Sequence, residues 1–321
     1  CRRAGHTRTM DSGVFILRQA QDERGRQAER RENPTRTRRT QNFDAHPGAE
    51  PLSTGSAILS AMDSRPVGIF DSGVGGLSVL RHFQRLAPHE RLIYFADTAW
   101  FPYGARPAAE VRKRAFAITD RLLVAGCKLI IVACNTASAA AIADLRQAWD
   151  IPFVGMVPGV KPARSASKSG RVVILATDGT FDGELFSRVV DEFGGVHIES
   201  VPGTGLAELV ERGKAGTVEA REAVRNALAA PLSRGADTVV LGCTHYHFLA
   251  EDILAEFPEI TLIDTSEPVA RRAIQLLEEQ QLTAPAGQQG ELDLIVSGDR
   301  DSFKAAMAAL GFQPTHQEAT R

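Results

Sequence analysis

From residue 66 onward, short apolar runs alternate with longer stretches in which apolar and polar residues recur at helical spacing. Most of the runs are rich in Val and Ile, which is typical of strands that are covered on both faces. The predicted strands are Val67–Phe70, Leu92–Ala96, Leu129–Ala133, Phe153–Met156, Val172–Ala176, His197–Val201, Thr238–Leu241, Thr261–Ile263 and Leu292–Val296. The predicted helices between them include Ala108–Ala125, Ala137–Trp149, Phe181–Phe193, Val218–Ala230 and Pro268–Glu279. This alternation predicts right-handed crossovers and an α/β fold of two doubly wound units with mainly parallel sheets.

Polar residues follow four of the predicted strands, at the point where each strand gives way to a loop. They are Asp71-Ser72-Gly73-Val74-Gly75-Gly76, Asp97-Thr98 with Pro102-Tyr103-Gly104, Cys134-Asn135-Thr136, and Gly242-Cys243-Thr244-His245-Tyr246. In doubly wound sheets, ligands bind outside the carboxyl ends of the strands. We therefore expect these four segments to line one site.

Two of the segments share one sequence pattern. Residues 128–136 and 237–245 share an apolar strand, a small residue, a Cys and small polar residues, and they lie about one small domain apart. A duplicated unit with a twofold relation would make the two domains pseudo-symmetric. Cys134 and Cys243 would then face each other across a cleft, at helix N-termini where the pKa of a thiol falls.

Other interpretations of these residues are weaker. Cys127 is interpreted as a small buried hydrophobe, which is the usual place of a lone Cys beside a strand. The loop 73–76 lacks the GxGxxG spacing and the Walker lysine, so a tight turn or close backbone approach to a substrate carboxylate is favoured over nucleotide binding. His245 with the two cysteines matches no zinc spacing.

Composition narrows the functional class. The 321 residues predict two domains, and a net charge of −2 does not point to a nucleic-acid or anionic-lipid partner. With 43% hydrophobic and 24% charged residues, the chain is not collagenous, wholly disordered or an integral membrane protein. Four cysteines without a CxxC motif predict a reduced thiol protein in the cytoplasm.

Residues 1–61 differ from the rest, with eleven Arg, no Lys and seven acidic residues. Such a segment cannot bury enough apolar surface to offset its conformational entropy, so we expect a disordered, Arg-rich extension. An upstream extension before Met62 is favoured over a basic nucleic-acid arm. The apolar run 14–17 is too short for a secretory signal, and the acidic residues argue against a mitochondrial presequence.

Taken together, the four segments resemble glutamate racemase, the cofactor-independent enzyme of the aspartate/glutamate racemase superfamily. Further matching motifs are Gly155-Met156-Val157-Pro158, Lys161-Pro162-Ala163, Ala176-Thr177 with Gly179-Thr180, Leu209-Val210-Glu211-Arg212-Gly213, and Ile263-Asp264. The resemblance extends from about Pro66 to Gly311. The chain departs from the family pattern at His247-Phe248, where Pro usually follows His-Tyr, and at Trp100-Phe101 and Asp182.

The resemblance implies a two-base racemisation, in which one thiolate removes the α-proton and a thiol on the other face returns one. It implies that Cys134 deprotonates D-glutamate and Cys243 deprotonates L-glutamate, with Asp71 assisting the former and His245 and Glu211 the latter. Substrate-binding residues implied in the same way are Asp71, Ser72, Tyr103, Gly104, Asn135, Thr136, Thr177, Thr244 and His245.

The family fold further implies discontinuous domains, one of 66–157 plus 267–313 and the other of 158–266, with the active site in the cleft between them. No metal, nucleotide or pyridoxal cofactor is expected. The implied partner is the small-molecule substrate glutamate, in a bacterial cytoplasm where D-glutamate feeds peptidoglycan synthesis and cell-wall biogenesis. Neither a membrane nor a nucleic acid is expected as a partner, and a homodimer is compatible with the sequence.

Three alternatives stay open at this point. The nearest is a sister activity, aspartate racemisation or decarboxylation of a malonate-like acid, although one-Cys decarboxylases are disfavoured by the presence of both Cys134 and Cys243. A protein of another class would bind nucleic acid or a partner through residues 1–61. A redox protein would instead form a reversible Cys134–Cys243 disulfide.

Overall fold

The computed structural model describes residues 62–182, 184–193 and 195–312, so the predicted disordered extension 1–61 lies outside the described residues. The strands are β1 (Val67–Asp71), β2 (Leu92–Ala96), β3 (Leu129–Val132), β4 (Phe153–Gly155), β5 (Arg171–Ala176), β6 (His197–Pro202), β7 (Thr238–Gly242), β8 (Thr261–Ile263) and β9 (Leu292–Val296). They form a five-stranded sheet of order β4-β3-β1-β2-β9 and a four-stranded sheet of order β6-β5-β7-β8. Every strand pair is parallel. The predicted α/β class with parallel sheets is confirmed.

Helices connect the strands, as parallel pairing requires. They are α1 (Leu77–Leu86), α2 (Ala108–Val124), α3 (Asn135–Ala148), α4 (Val160–Ala166), α5 (Asp178–Phe181), α6 (Glu184–Phe193), α7 (Leu206–Glu211), α8 (Val218–Ser233), α9 (Ala250–Glu256), α10 (Ser266–Glu279) and α11 (Arg300–Ala309). Two 3-10 helices, Thr98–Trp100 and Thr244–Leu249, follow β2 and β7. None of the helices in the described part of the chain has the length and apolar character that crossing a membrane would need.

The two sheets share one topology. Read from the edge, β4-β3-β1-β2 of the first sheet corresponds to β8-β7-β5-β6 of the second, strand for strand. Under this correspondence β3 is equivalent to β7, so Cys134 and Cys243 follow equivalent strands. The near-repeat in the sequence is thus a repeat in the fold. The domain boundaries predicted above stay a prediction.

All five predicted helices differ in their bounds, and among them α2 ends one residue earlier and α10 begins two residues earlier than predicted. Helix α3 begins at Asn135, two residues earlier than predicted, because Cys134 caps it: its backbone is extended and its Sγ accepts a hydrogen bond from the Ala137 N–H at 3.5 Å. The predicted helix 181–193 is divided between α5, which ends at Phe181, and α6, which begins at Glu184. Helix α8 continues past Pro231, and its last carbonyls accept from the Arg234 N–H.

The cores lie on the faces of the two sheets. All residues of β1, β2, β3 and β7 are buried, which explains their continuous apolar character. Because both faces of these strands are covered, the carboxyl ends are left as the edge where polar loops gather. That edge carries the residues singled out from the sequence.

Candidate active site

The two cysteines occupy equivalent and buried positions. Cys134 is 5% exposed and Cys243 is 7% exposed. Each has an extended backbone and immediately precedes a helix, α3 for Cys134 and the 3-10 helix Thr244–Leu249 for Cys243. The structure therefore places both thiols where a strand ends and a helix begins, as predicted.

Asp71 joins the ends of the two sheets. Its Oδ2 accepts a hydrogen bond from the Thr244 hydroxyl at 3.0 Å, and its Oδ1 accepts one from the Gly73 N–H at 2.7 Å. Burial raises the pKa of this carboxyl, although the nearby His245 and the Gly73 N–H act in the opposite direction. Asp71 is therefore a buried carboxyl group with a raised pKa beside the residues that follow β7.

His245 lies between Cys243 and Glu211. Its Nδ1 is 3.7 Å from the Cys243 Sγ, and its Nε2 is 2.7 Å from Glu211 Oε1. Burial opposes the charged form of His245, but the contacts with Cys243 and Glu211 outweigh it and raise the pKa of His245 well above its usual value. An imidazolium can donate one proton to each neighbour, so the arrangement suits a thiolate at Cys243.

Cys134 has a different environment. Burial is the main cause that raises the pKa of its thiol, and the Asp71 carboxylate acts in the same direction. The lowered thiol pKa expected at a helix N-terminus is therefore wrong for Cys134. A side-chain hydrogen bond with Ser72 and the Ala137 N–H oppose the shift without cancelling it. The imidazole of His245 thus contacts the Cys243 thiol, whereas burial and the Asp71 carboxylate raise the pKa of the Cys134 thiol.

Polar side chains at the start of α3 and of α5 provide candidate binding groups. The hydroxyls of Thr136 and Thr177 are 2.9 Å apart, and Thr180 lies 3.0 Å from Thr177. Among the residues that the structure describes, neither polar atom of the buried Asn135 amide has a hydrogen-bond partner. Thr180 was not among the predicted site residues, although the Gly179-Thr180 motif pointed to it.

Tyr103 is held by residues that the sequence did not single out as part of a network. Its buried hydroxyl donates to Asp97, which also accepts a hydrogen bond from Arg114 Nε at 2.7 Å. The proton of the hydroxyl is thus committed to Asp97, so Tyr103 can offer the site its ring, its backbone and the hydroxyl oxygen as an acceptor. Gly104 lies against Thr177, where a Cβ on the glycine would be 2.7 Å from the Thr177 Cβ.

A cavity of about 130 Å³ lies beside these residues. Its lining includes Gly104 from the first sheet's loops and Thr177, Glu208 and Tyr246 from the second sheet's side. A larger cavity of about 550 Å³ lies at the opposite, amino-terminal edge of β2 and β9 and contains none of the predicted site residues. The chemistry-bearing groups therefore point to the smaller cavity as the approach to the site.

Two further contacts cross between the sheets. The Val74 N–H donates to Glu211 Oε1 at 2.7 Å, and the ring of Phe101 lies 5.5 Å from that of His245. Val74 and Phe101 were not predicted as site residues, because an apolar side chain in a sequence does not indicate chemistry. Among the described residues, no group of three or more His, Cys, Asp or Glu side chains is arranged to hold a metal ion.

Comparison with known proteins identifies the family. A family model described as Asp/Glu/Hydantoin racemase matches residues 75–273. The chain belongs to this racemase family. The glutamate racemase of Herpetosiphon aurantiacus is 45% identical over 246 residues, which cover 75% of this chain and 96% of that protein.

Solved racemase structures share the fold. The glutamate racemase of Thermus thermophilus in complex with β-chloro-D-alanine has a TM-score of 0.70 and 34% identity, and the match covers 81% of this chain and 98% of that one. Escherichia coli glutamate racemase in complex with L-glutamate and the activator UDP-MurNAc-ala has a TM-score of 0.68 and 33% identity, covering 78% and 97%. These family relatives are glutamate racemases, as the motifs predicted.

Proposed function

We propose that this racemase interconverts L-glutamate and D-glutamate by proton transfer at the α-carbon between two cysteines. The observation that carries the proposal is the equivalence of Cys134 and Cys243, which follow matching strands of two sheets with the same topology. Inversion of a carbon centre requires a base on one face and an acid on the other, and an internal repeat supplies both. The names and bound ligands of the relatives support glutamate as the substrate.

With L-glutamate, the Cys243 thiolate takes the α-proton while the His245 imidazolium, held by Glu211, stabilises the thiolate before the transfer. The protonated Cys134 then delivers its own proton to the opposite face. The products are D-glutamate, a thiol at Cys243 and a thiolate at Cys134. With D-glutamate the two thiols exchange roles, and Asp71 is the proton-binding group that serves Cys134.

The carbanion between the two transfers needs hydrogen bonds that are in place before it forms. The amide of Asn135 lacks a partner among the described residues, and the hydroxyl of the next residue, Thr136, lies 2.9 Å from that of Thr177. We assign these groups to the substrate's carboxylates and ammonium. Ser72, Gly104, Thr244 and Tyr103 complete the binding set.

The physiological role proposed for the product is the supply of D-glutamate for peptidoglycan synthesis in a bacterial cytoplasm. This role is supported by the family relationship and by the bacterial glutamate racemases that the chain resembles.

The test follows L-glutamate in D₂O by circular dichroism and proton NMR, without added pyridoxal phosphate. We expect loss of optical activity with deuterium entering the α-position, and loss of racemisation in Cys134→Ser and Cys243→Ser. The matched control is Cys127→Ser, which makes the same substitution at a buried cysteine before β3 and leaves racemisation intact. Racemisation of aspartate but not of glutamate would show that the proposed substrate is wrong. Absence of racemisation with both amino acids would overturn the proposal.

A further inference from the structure

The peptide unit between Gly73 and Val74 is held by hydrogen bonds at both ends. The Gly73 carbonyl accepts from the Tyr94 hydroxyl at 2.8 Å, and the Val74 N–H donates to Glu211 Oε1 at 2.7 Å. The carbonyl and the N–H of one peptide unit are parts of a single rigid plane. Anchoring the carbonyl therefore sets the direction in which the N–H points.

The carboxylate oxygen that accepts this N–H is also the one that contacts His245. Glu211 Oε1 lies 2.7 Å from His245 Nε2, so a single oxygen is shared by the Val74 N–H and the imidazole. The position of that oxygen decides how well His245 is held. The Val74 N–H thus acts on His245 from the first sheet, across 137 residues of sequence.

The glycines of the loop allow this close approach. A Cβ on Gly73 would lie 1.8 Å from Glu211 Oε1, and a Cβ on Gly75 would lie 2.5 Å from His245 Nδ1. Any side chain at either position would displace the carboxylate or the imidazole. The loop is therefore shaped around the Glu211–His245 pair as well as around Asp71.

Tyr94 belongs to none of the motifs at the strand ends. It lies in the middle of β2, is fully buried, and stacks on Phe303 with ring centroids 6.3 Å apart. Burial raises the pKa of its phenol, so the hydroxyl keeps its proton and remains a donor. Gly76 also lies against this hydroxyl, since a Cβ on the glycine would be 2.9 Å from it.

We propose that Tyr94 is a positioning residue for Cys243: through the Gly73–Val74 peptide its hydroxyl orients Glu211, and Glu211 holds the His245 imidazolium against the Cys243 thiolate. This inference rests on the proposed function for its consequence in catalysis. Its structural part, the link from Tyr94 to His245, stands on the contacts alone. The two parts are therefore tested separately.

The structural part is tested by following the ¹⁵N resonances of the His245 ring as a function of pH in the full chain. Tyr94→Phe keeps the ring and removes only the hydroxyl, so we expect the titration midpoint of His245 to fall by about one pH unit, the effect of weakening one charge-assisted hydrogen bond. The control is Thr238→Val, which removes a buried hydroxyl that donates to Asp237 at the far end of β7. It should leave the midpoint in place. An unchanged midpoint in Tyr94→Phe would overturn the proposal.

The catalytic part uses exchange of the α-hydrogen in D₂O with one thiol present at a time. In the Cys134→Ser background, Tyr94→Phe should slow deuterium entry into L-glutamate about tenfold. This is the loss expected when the same charge-assisted hydrogen bond is weakened. In the Cys243→Ser background, entry into D-glutamate should change less than about twofold. Equal losses on both faces would show a general structural role and overturn the proposal. Should the parent chain exchange no glutamate at all, the proposed function falls, and the His245 titration still decides the link to Tyr94.

Discussion

The Thr244 hydroxyl donates a hydrogen bond to Asp71 at 3.0 Å, and this contact joins residues 173 positions apart in the chain. Asp71 is the last residue of β1, and Thr244 opens the 3-10 helix after β7. The bond therefore ties the carboxyl end of one sheet to that of the other. It also brings Asp71, the group proposed to serve Cys134, within reach of the segment that carries Cys243.

Removing this bond should slow racemisation. Thr244→Val keeps the shape of the side chain but leaves the buried Asp71 carboxylate without its hydroxyl donor, so kcat/KM should fall about 10- to 100-fold. Thr244→Ser retains the hydroxyl and should stay within about threefold of the parent. Steady-state assays in both directions decide the matter, and equal activity of the Val and Ser variants would contradict the role given to this bond.

The roles of the two thiols should be distinguishable by exchange of the α-hydrogen with solvent, but not by the rate of racemisation. Because enantiomers have equal free energies, kcat/KM must fall equally in both directions in any variant, by about 10²- to 10⁴-fold when one acid–base group is removed. The rate of deuterium entry need not be equal for the two enantiomers. Cys134→Ser should exchange the α-hydrogen of L-glutamate only, and Cys243→Ser that of D-glutamate only, as measured by NMR in D₂O. The opposite preference would reverse the assignment of the faces.

The Glu211–His245 pair should stabilise the fold in a pH-dependent way. Since the pKa of His245 is raised in the folded state, the stabilisation is complete below the pKa of the unfolded chain, about 6.5, and is lost as the pH rises through the higher folded pKa. Glu211→Gln should therefore lower the free energy of unfolding by about 1.5–3 kcal/mol at pH 6, and by less in alkaline solution. Urea titrations across this range provide the measurement. The exposed pair of Arg91 and Glu291 supplies a control, because Glu291→Gln should cost under about 1 kcal/mol at pH 6.

Gly73 should tolerate no side chain. In Gly73→Ala the new Cβ would overlap Glu211 Oε1, so kcat/KM should drop by about 10- to 100-fold, the range expected when one charge-assisted hydrogen bond is broken. Shortening the carboxylate in the double variant Gly73→Ala with Glu211→Asp should recover part of the loss. Gly287→Ala is the matched control, since no atom lies within 4 Å of its added Cβ. Normal activity of Gly73→Ala would show that Glu211 can move without effect.

The buried Asn135 amide should destabilise the substrate-free protein and contribute to glutamate binding. Its buried amide has no partner in the described part of the chain, so Asn135→Leu should raise the free energy of unfolding of the substrate-free chain by about 1 kcal/mol. The same change should raise the KM for glutamate at least about tenfold, because the variant has no polar group for the substrate. Denaturation and kinetics on one sample test both parts. A more stable variant with an unchanged KM would remove Asn135 from the binding set.

Much of this architecture could be predicted from local pattern. The bounds of β2, β8 and β9 match the runs that predicted them. In β2 every residue is buried, so coverage of both faces explains its continuous apolar run. The near-repeat around Cys134 and Cys243 correctly indicated equivalent positions. The sequence pattern predicted the starts of helices less well. Cys134 caps α3, so this helix begins at Asn135 and not at Ala137 as predicted.

By itself, then, the sequence determined the alternating strands and helices, the repeated unit and the chemical groups at the strand ends, since each of these depends on neighbours close in the chain. The tertiary structure alone decided that Val74 contacts Glu211, that Tyr94 anchors Gly73 and that the Tyr103 hydroxyl donates to Asp97. These contacts depend on the path of the backbone and on the direction of each side chain in space. Hydrophobic periodicity encodes which face of an element is buried, but not which distant group it meets there.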